Sequence, residues 1–185
     1  MGTNGIAGPS PRAVARVAGL LYLTNIVTSL IAFAGMGSHA LISASGWAAT
    51  AAYVGVTILL YFLFKPVSRS LSLIAALFSL AGCLVGLRLF PCPLDPLVFF
   101  GCYCVLVGYM ILRSIFMPRA IGVLMILVGM GWLTFLWPPL ARALSPYHYI
   151  AGGIGEGLLT LWLLVMGVNA ERWKQQAKVN DLAQA

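Results

Sequence analysis

Residues 46–64 read GWAATAAYVGVTILLYFLF, nineteen residues without a single charged side chain. A helix of that length is ~28 Å long, close to the ~30 Å hydrocarbon core of a bilayer. The run is continuously apolar instead of alternating, which favours a membrane-spanning helix over a strand of a transmembrane barrel. The fold therefore depends on how many such runs the chain contains.

The composition of the whole chain extends this interpretation. Of 185 residues, 61% are hydrophobic and 8% are charged, whereas soluble domains carry ~25% charged residues. Short polar loops separate the apolar runs, so the sequence predicts one all-α integral membrane bundle of antiparallel neighbours. A polar C-terminal tail is predicted over 171–185. The six predicted helices cover 11–34, 46–64, 70–90, 96–114, 118–137 and 146–168.

Three helix starts carry the same signal, a capping side chain followed by proline in the first helical position. Ser10-Pro11, Asp95-Pro96 and Ser145-Pro146 predict the starts of the first, fourth and sixth helices. The first apolar run also resembles a secretory signal peptide, because basic residues precede it and Ala32-Phe33-Ala34 follows. Its length favours a retained helix, and cleavage stays open as the alternative.

Lysine and arginine are distributed very unequally between the two ends of the predicted helices. Nine lie at one end and two, Arg88 and Arg142, at the other. The positive-inside rule therefore predicts six spans with both termini in the cytoplasm. It also accounts for the net charge of +7, so no nucleic-acid partner is predicted. The nine are Arg12, Arg16, Lys65, Arg69, Arg113, Arg119, Arg172, Lys174 and Lys178.

Glu156 is the most informative residue, because it falls about ten residues into the sixth predicted helix, near the middle of the bilayer. A carboxylate there costs at least ~2.5 kcal/mol on insertion scales. It should therefore face the bundle interior and be neutral or have a partner. Gly153 and Gly157 form a small-xxx-small pair beside it, which predicts close approach by another helix.

Polar residues on other helices provide candidate partners for Glu156. The first choice is an ion pair with Arg88, near the outer end of the third predicted helix, and the second choice is Asn25. A polar interior pocket is predicted to contain Glu156, Arg88, Asn25, Tyr22, Tyr53 and Thr160. The alternative is a purely structural lock in which Glu156 holds the first, third and sixth helices together.

Other chemistry-bearing residues do not form a motif. The four cysteines show no C-x-x-C spacing, and His39 and His148 are predicted as ordinary residues near the outer surface. Hydrolase and metalloprotease motifs are missing from the sequence. We therefore predict no metal, no cofactor and no assigned catalytic residue, and the sequence does not decide whether the protein is an enzyme.

Several segments resemble one family. They are Arg16–Leu23, Lys65–Arg69, Gly108–Arg119, Gly129–Leu133 and Gly155–Glu156 with Leu161–Leu164 and Gly167–Asn169. Together they resemble bacterial membrane proteins grouped as domain of unknown function 4386, most clearly from about residue 100 onward. The resemblance implies a multi-pass bundle in a bacterial inner membrane and does not imply an activity.

Three functional hypotheses follow. The first is a bundle that binds a lipid or a small amphipathic ligand in the pocket around Glu156. The second is an accessory subunit of a larger membrane complex, or a homo-oligomer, in which the polar residues serve assembly. The third is a membrane enzyme acting on a lipid-phase substrate, with Glu156 as acid or base. Membrane lipids are predicted partners in all three.

Overall fold

The structure, a computed structural model, describes residues 10–35 and 37–184, with side chains up to residue 180. Every regular element in these ranges is helical. Six helices, counting a 3₁₀ turn over Thr134–Leu136 that extends α5, are long and apolar enough to cross a membrane. The helices are α1 Pro11–Phe33, α2 His39–Phe64, α3 Arg69–Gly86, α4 Pro96–Arg113, α5 Arg119–Leu133, α6 Pro138–Ala143, α7 Tyr147–Val165 and α8 Ala170–Gln184.

Two of the three predicted caps are confirmed. The Ser10 hydroxyl accepts a hydrogen bond from the Ala13 amide, and the Asp95 carboxylate accepts one from the Leu97 amide. The third prediction is wrong, because α7 begins at Tyr147 after Pro146 and has no side-chain cap. The short helix α6, opened by Pro138-Pro139, was not predicted and occupies the loop before it.

Two helix boundaries differ from the prediction by four residues or more, with the 3₁₀ turn counted as part of α5. Helix α2 begins at His39, seven residues early, because the Ser38 hydroxyl caps it by accepting from the Leu41 amide. Helix α3 ends at Gly86 and not at residue 90. Arg88 has φ 57°, a left-handed conformation that ends a helix, so the residues after it form the loop to α4.

The spanning helices form a closed ring in the order α1, α2, α3, α4, α5, α7, and α7 packs again on α1. The beginning of α1 meets the end of α7, where the Arg16 guanidinium donates to the Val165 carbonyl at 3.5 Å. The end of the bundle that carries the nine basic residues, called the basic end below, therefore includes the start of α1 and the end of α7. Side chains that point to the ring centre form the core.

Helices α4 and α5 approach each other at four glycines. A Cβ at Gly108 would lie 2.6 Å from the Gly122 carbonyl oxygen, and one at Gly129 would lie 2.7 Å from the Gly101 carbonyl oxygen. Such distances leave no room for a side chain, so the two backbones touch directly, as small residues allow in membrane helices.

The C-terminal segment, predicted as a polar tail, forms helix α8. Trp173 donates its indole N–H to the Leu63 carbonyl at 2.8 Å, and the Gln176 amide donates to the Arg113 carbonyl at 3.2 Å. These carbonyls belong to the last turns of α2 and α4, where helices lack internal partners. Helix α8 thus closes the basic end of the bundle.

Candidate functional site

A cavity of about 420 Å³ lies between α1, α2, α3, α4, α5 and α7. It extends from Glu156, the tenth residue of α7, toward the ends of α1 and α3 and the starts of α2 and α4. Most of its wall is apolar, and the polar side chains that line it include those of Asn25, Ser29, Thr50, Tyr53, Trp132 and Glu156. It has the size and the mixed chemistry of a small-molecule site.

Glu156 is half-buried at the deep end of this cavity. Its Oε1 accepts a hydrogen bond from the indole N–H of Trp132 at 3.3 Å. One turn along α7, the Thr160 hydroxyl donates to the Glu156 backbone carbonyl at 2.7 Å. One side chain, Trp132 of α5, therefore orients the carboxylate, and Thr160 bonds only to its backbone.

Three tyrosines from three helices surround the inner part of the site. Tyr53 lines the cavity and packs edge-on against Tyr22, Tyr103 and Phe100, with ring centroids 5.0–5.9 Å apart. Tyr22 and Tyr103 are fully buried, and their hydroxyl groups have no hydrogen-bond partner among the described residues. Buried hydroxyls without partners are costly, so this layer holds unused donors next to the cavity.

Asn25 connects the cavity wall to a neighbouring helix. Its side-chain amide donates to the Ala49 carbonyl of α2 at 3.0 Å, and Asn25 and Ala49 both line the cavity. The hydrogen bond leaves the Asn25 side-chain oxygen available as an acceptor. Asn25 is therefore in the same cavity as Glu156, although no direct contact between them is formed within the described residues.

Arg88 does not join the site. The helix ends before it, its side chain is exposed, and it is not among the residues that line the cavity. Within the described residues, the expected Arg88–Glu156 ion pair is absent, and the salt bridge that forms joins Lys174 to Glu171 at 3.7 Å. The left-handed conformation at residue 88 follows the end of α3, so Arg88 lies in the loop to α4.

Two features of α7 bear on the expectations. His148, predicted near the outer surface, lies at the start of α7, opposite the basic end, and its side chain is 6% exposed and packs among Trp132, Phe135 and Tyr149. Gly153 and Gly157, predicted to receive another helix, have no atom of another described helix within 4 Å of an added Cβ. The close contacts involve Gly152 and Gly155 instead, which lie on a neighbouring face of α7, against Trp132 and Val128 of α5.

Trp132 is the functional candidate that sequence reasoning missed. The sequence around a tryptophan in an apolar run looks the same whether its side chain faces lipid or a carboxylate. A signal was available, because a buried indole N–H needs an acceptor and Glu156 is the one acidic residue within a predicted span. Cys83 and Phe100, which also line the cavity, carried no comparable signal.

The described lining of the cavity contains few ionisable groups. Lysine, arginine and histidine are missing from the described cavity lining. A second carboxylate is also missing there, because Asp95 caps α4 at the bundle end. No cluster of three histidine, cysteine or acidic side chains able to hold a metal occurs in the described chain. The site offers one carboxylate, an amide oxygen, the hydroxyls of Ser29 and Thr50, and aromatic walls.

Comparison with known proteins places this chain among its relatives. Residues 95–167 match the model of a family described as a domain of unknown function (DUF4386). A relative from Archaeoglobus fulgidus, described as an uncharacterized protein, is 31% identical over 127 residues, 62% of this chain and 76% of the relative. The chain belongs to the DUF4386 family. No solved structure matches it.

The expected family resemblance is thus confirmed. The matched segment of this DUF4386 chain runs from the cap of α4 to the end of α7. It contains the glycine contacts of α4 with α5 and both partners of the Trp132–Glu156 hydrogen bond. The cavity residues of α1, α2 and α3 lie outside it.

Proposed function

We propose that this DUF4386 protein binds a small amphipathic ligand in the cavity that ends at Glu156. The single observation that carries the proposal is a carboxylate at mid-depth of a spanning helix that faces a cavity of about 420 Å³ and has no cationic neighbour in the described lining. An intramembrane ionisable residue is expensive to insert and is usually functional.

The chemistry of the lining indicates what kind of ligand fits. A carboxylate and a free amide oxygen both accept hydrogen bonds, so the polar end of the ligand should donate them. A protonated amine or a hydroxyl group meets this requirement, and an amine would also supply the missing positive charge. The apolar part would lie toward Leu87, Leu97 and Phe100, nearer the bundle end.

Glu156→Gln tests the proposal with little structural disturbance. Glutamine keeps an oxygen that accepts from the Trp132 indole, but it removes the negative charge. Native mass spectrometry of gently extracted protein should show a bound small molecule in the wild type. The bound amount should be lower by about tenfold or more in Glu156→Gln. Asp95→Asn is the matched control, because asparagine also caps helices and residue 95 lies outside the cavity.

Two results would count against the proposal. If Glu156→Gln retains as much small molecule as the wild type, the carboxylate does not bind it. If Glu156→Gln retains none but also unfolds several degrees earlier than Asp95→Asn, Glu156 is a structural lock between helices. A wild type that carries no molecule and gains none from a lipid extract would sink the ligand hypothesis as well.

We infer that the protein lies in a cell inner membrane with both termini in the cytoplasm. The nine-to-two distribution of basic residues supports this orientation. Cys92, in the loop between α3 and α4, supplies a native reporter for the opposite side. A membrane-impermeant thiol reagent should label Cys92 in intact cells and should label Lys178→Cys, in a Cys92→Ser background, only after lysis. The reverse pattern would invert the orientation.

The open glycines of α7 favour a second candidate, assembly with another membrane protein or a second copy. Gly153 and Gly157 lie on a face with exposed Ile150, Ile154 and Leu161 and form the small-xxx-small pattern of helix interfaces. Gly153→Leu should then reduce the assembled fraction on size-exclusion chromatography in mild detergent. A wild type that runs as a lone monomer would contradict it.

A further inference from the structure

A second cavity lies at the basic end of the bundle, where α1 begins, α2 ends and α3 begins. Its volume is about 790 Å³, within the ~300–1,000 Å³ range of small-molecule sites. Helix α8 forms one side of it. It shares no lining residue with the Glu156 cavity, so it is a separate site.

The walls of this second cavity change from apolar to basic. Val14, Leu59 and Phe62 line the part that faces the spanning segments, and Lys65 and Arg69 line the part at the bundle end. The described lining contains no carboxylate. An occupant that matches these walls therefore has an apolar portion inside the bilayer and a negative charge at its surface.

The two cations are placed by the turn between α2 and α3. Lys65 follows the last residue of α2, and Arg69 is the first residue of the 18-residue helix α3. Both side chains are exposed, and neither pairs with a described carboxylate. Their charges add to the partial positive charge at the start of α3, which also attracts anions.

Two hydrogen-bonded side chains, one on each side of the second cavity, anchor helix α8 and leave the cavity between them unfilled. Trp173 donates to the Leu63 carbonyl at 2.8 Å, and the Asn180 amide donates to the Val67 carbonyl at 3.1 Å and to that of Pro66. Between these two anchors the lining residue of α8 is Ala177. A small side chain at that position leaves the volume unfilled.

We propose that this second cavity binds an anionic phospholipid. The phosphate lies between Lys65 and Arg69, and an acyl chain lies along Phe62 and Leu59. The apolar wall favours a lipid over a soluble anion, and two cations that have no carboxylate partner among the described residues favour an anionic lipid over a zwitterionic one. This proposal is independent of the ligand at Glu156, since the two cavities share no residue.

The test uses delipidated full-length protein and native mass spectrometry with two lipids of identical acyl chains, phosphatidylglycerol and phosphatidylcholine. Wild type should retain phosphatidylglycerol in preference to phosphatidylcholine. Lys65→Gln/Arg69→Gln should weaken phosphatidylglycerol binding about 30-fold. The matched control, Arg119→Gln/Lys178→Gln, removes the same two charge types at the same end outside the cavity and should bind as the wild type does.

A second variant separates the cavity from the charges. Ala177→Phe leaves every charge in place and fills the space between the two anchors, so it should also lose phosphatidylglycerol. Circular dichroism checks that each variant stays helical, and Lys65→Arg/Arg69→Lys should restore binding. Equal binding of both lipids, equal loss in the control variant, or unchanged binding in Ala177→Phe would overturn the proposal. So would displacement of the lipid by inorganic phosphate, which would indicate a soluble-anion site.

Discussion

Helices α4 and α5 meet at four glycines whose backbones touch, whereas α2 and α3 meet through hydroxyl groups beside a cavity. In the first pair, Gly101 and Gly108 face Gly129 and Gly122 with no space for a Cβ. In the second pair, the Thr57 and Ser79 hydroxyls lie 2.5 Å apart, and the Ser72 hydroxyl donates to the Tyr61 carbonyl at 3.2 Å. The hydrophobic effect does not drive helices together within lipid. The first pair is therefore held by close backbone packing and the second by hydrogen bonds between side chains and to the backbone.

The difference shows where the bundle can accept a ligand. Backbone contact between α4 and α5 fixes the position of α5, whose Trp132 donates to Glu156. Residues of α2 and α3 line the cavity in front of Glu156. The pair α4 and α5 thus positions the partner of the carboxylate, and the region between α2 and α3 contributes to the volume of the cavity. Substitutions that add atoms should therefore destabilise the bundle much more between α4 and α5 than beside the cavity.

The largest effect is expected for Gly108→Leu. A Cβ at residue 108 would lie 2.6 Å from the Gly122 carbonyl oxygen and 2.9 Å from the Ile126 amide nitrogen. Backbone atoms cannot move aside as a flexible side chain can, so the helices must separate. We expect destabilisation of about 3 kcal/mol or more, measured by unfolding in mixed micelles. Gly153→Leu, which adds the same side chain in open space, serves as the control.

An intermediate effect is expected for Thr57→Val. Valine keeps the shape of threonine but leaves the buried Ser79 hydroxyl without the partner it has at 2.5 Å. Hydrogen bonds between membrane helices contribute about 0.6 kcal/mol on average and up to about 1.7 kcal/mol. The same unfolding assay should show a loss in that range, while Thr57→Ser, which keeps the hydroxyl, should lose less. Equal losses in both variants would mean that the hydroxyl contact contributes nothing.

The smallest effect on stability is expected for Gly46→Leu. Gly46 lines the Glu156 cavity, and a Cβ there would have no atom of another described helix within 4 Å. The leucine should enter empty space, so the midpoint of unfolding should move by less than about 0.5 kcal/mol. A loss comparable to that of Gly108→Leu would show that the cavity side is as tightly packed as the glycine pair.

The sequence allowed much of this architecture to be predicted for physical reasons. Apolar runs of spanning length identify the six helices, and the Ser10 and Asp95 caps set two of their starts. The cost of a carboxylate in lipid drew attention to Glu156, and helical spacing drew attention to Asn25 and Tyr53, which line the same cavity.

The rest could not be predicted because it depends on tertiary geometry. The left-handed turn at Arg88 has no sequence signature for a non-glycine residue, and it removes the expected ion pair. Which glycines of α7 are covered depends on the rotation of that helix, and Gly152 and Gly155 face α5 where Gly153 and Gly157 do not. The Trp132–Glu156 hydrogen bond depends on the same rotation.

One measurement tests the central claim most directly, namely that the cavity between the spanning helices binds a small molecule in front of Glu156. Native mass spectrometry should quantify the molecule retained by wild type, Gly46→Leu and Gly153→Leu, all purified in the same way. The account predicts that Gly46→Leu, which occupies part of the cavity without changing Glu156, loses the molecule while staying folded, and that Gly153→Leu keeps it. Equal retention by Gly46→Leu and the wild type would contradict the account.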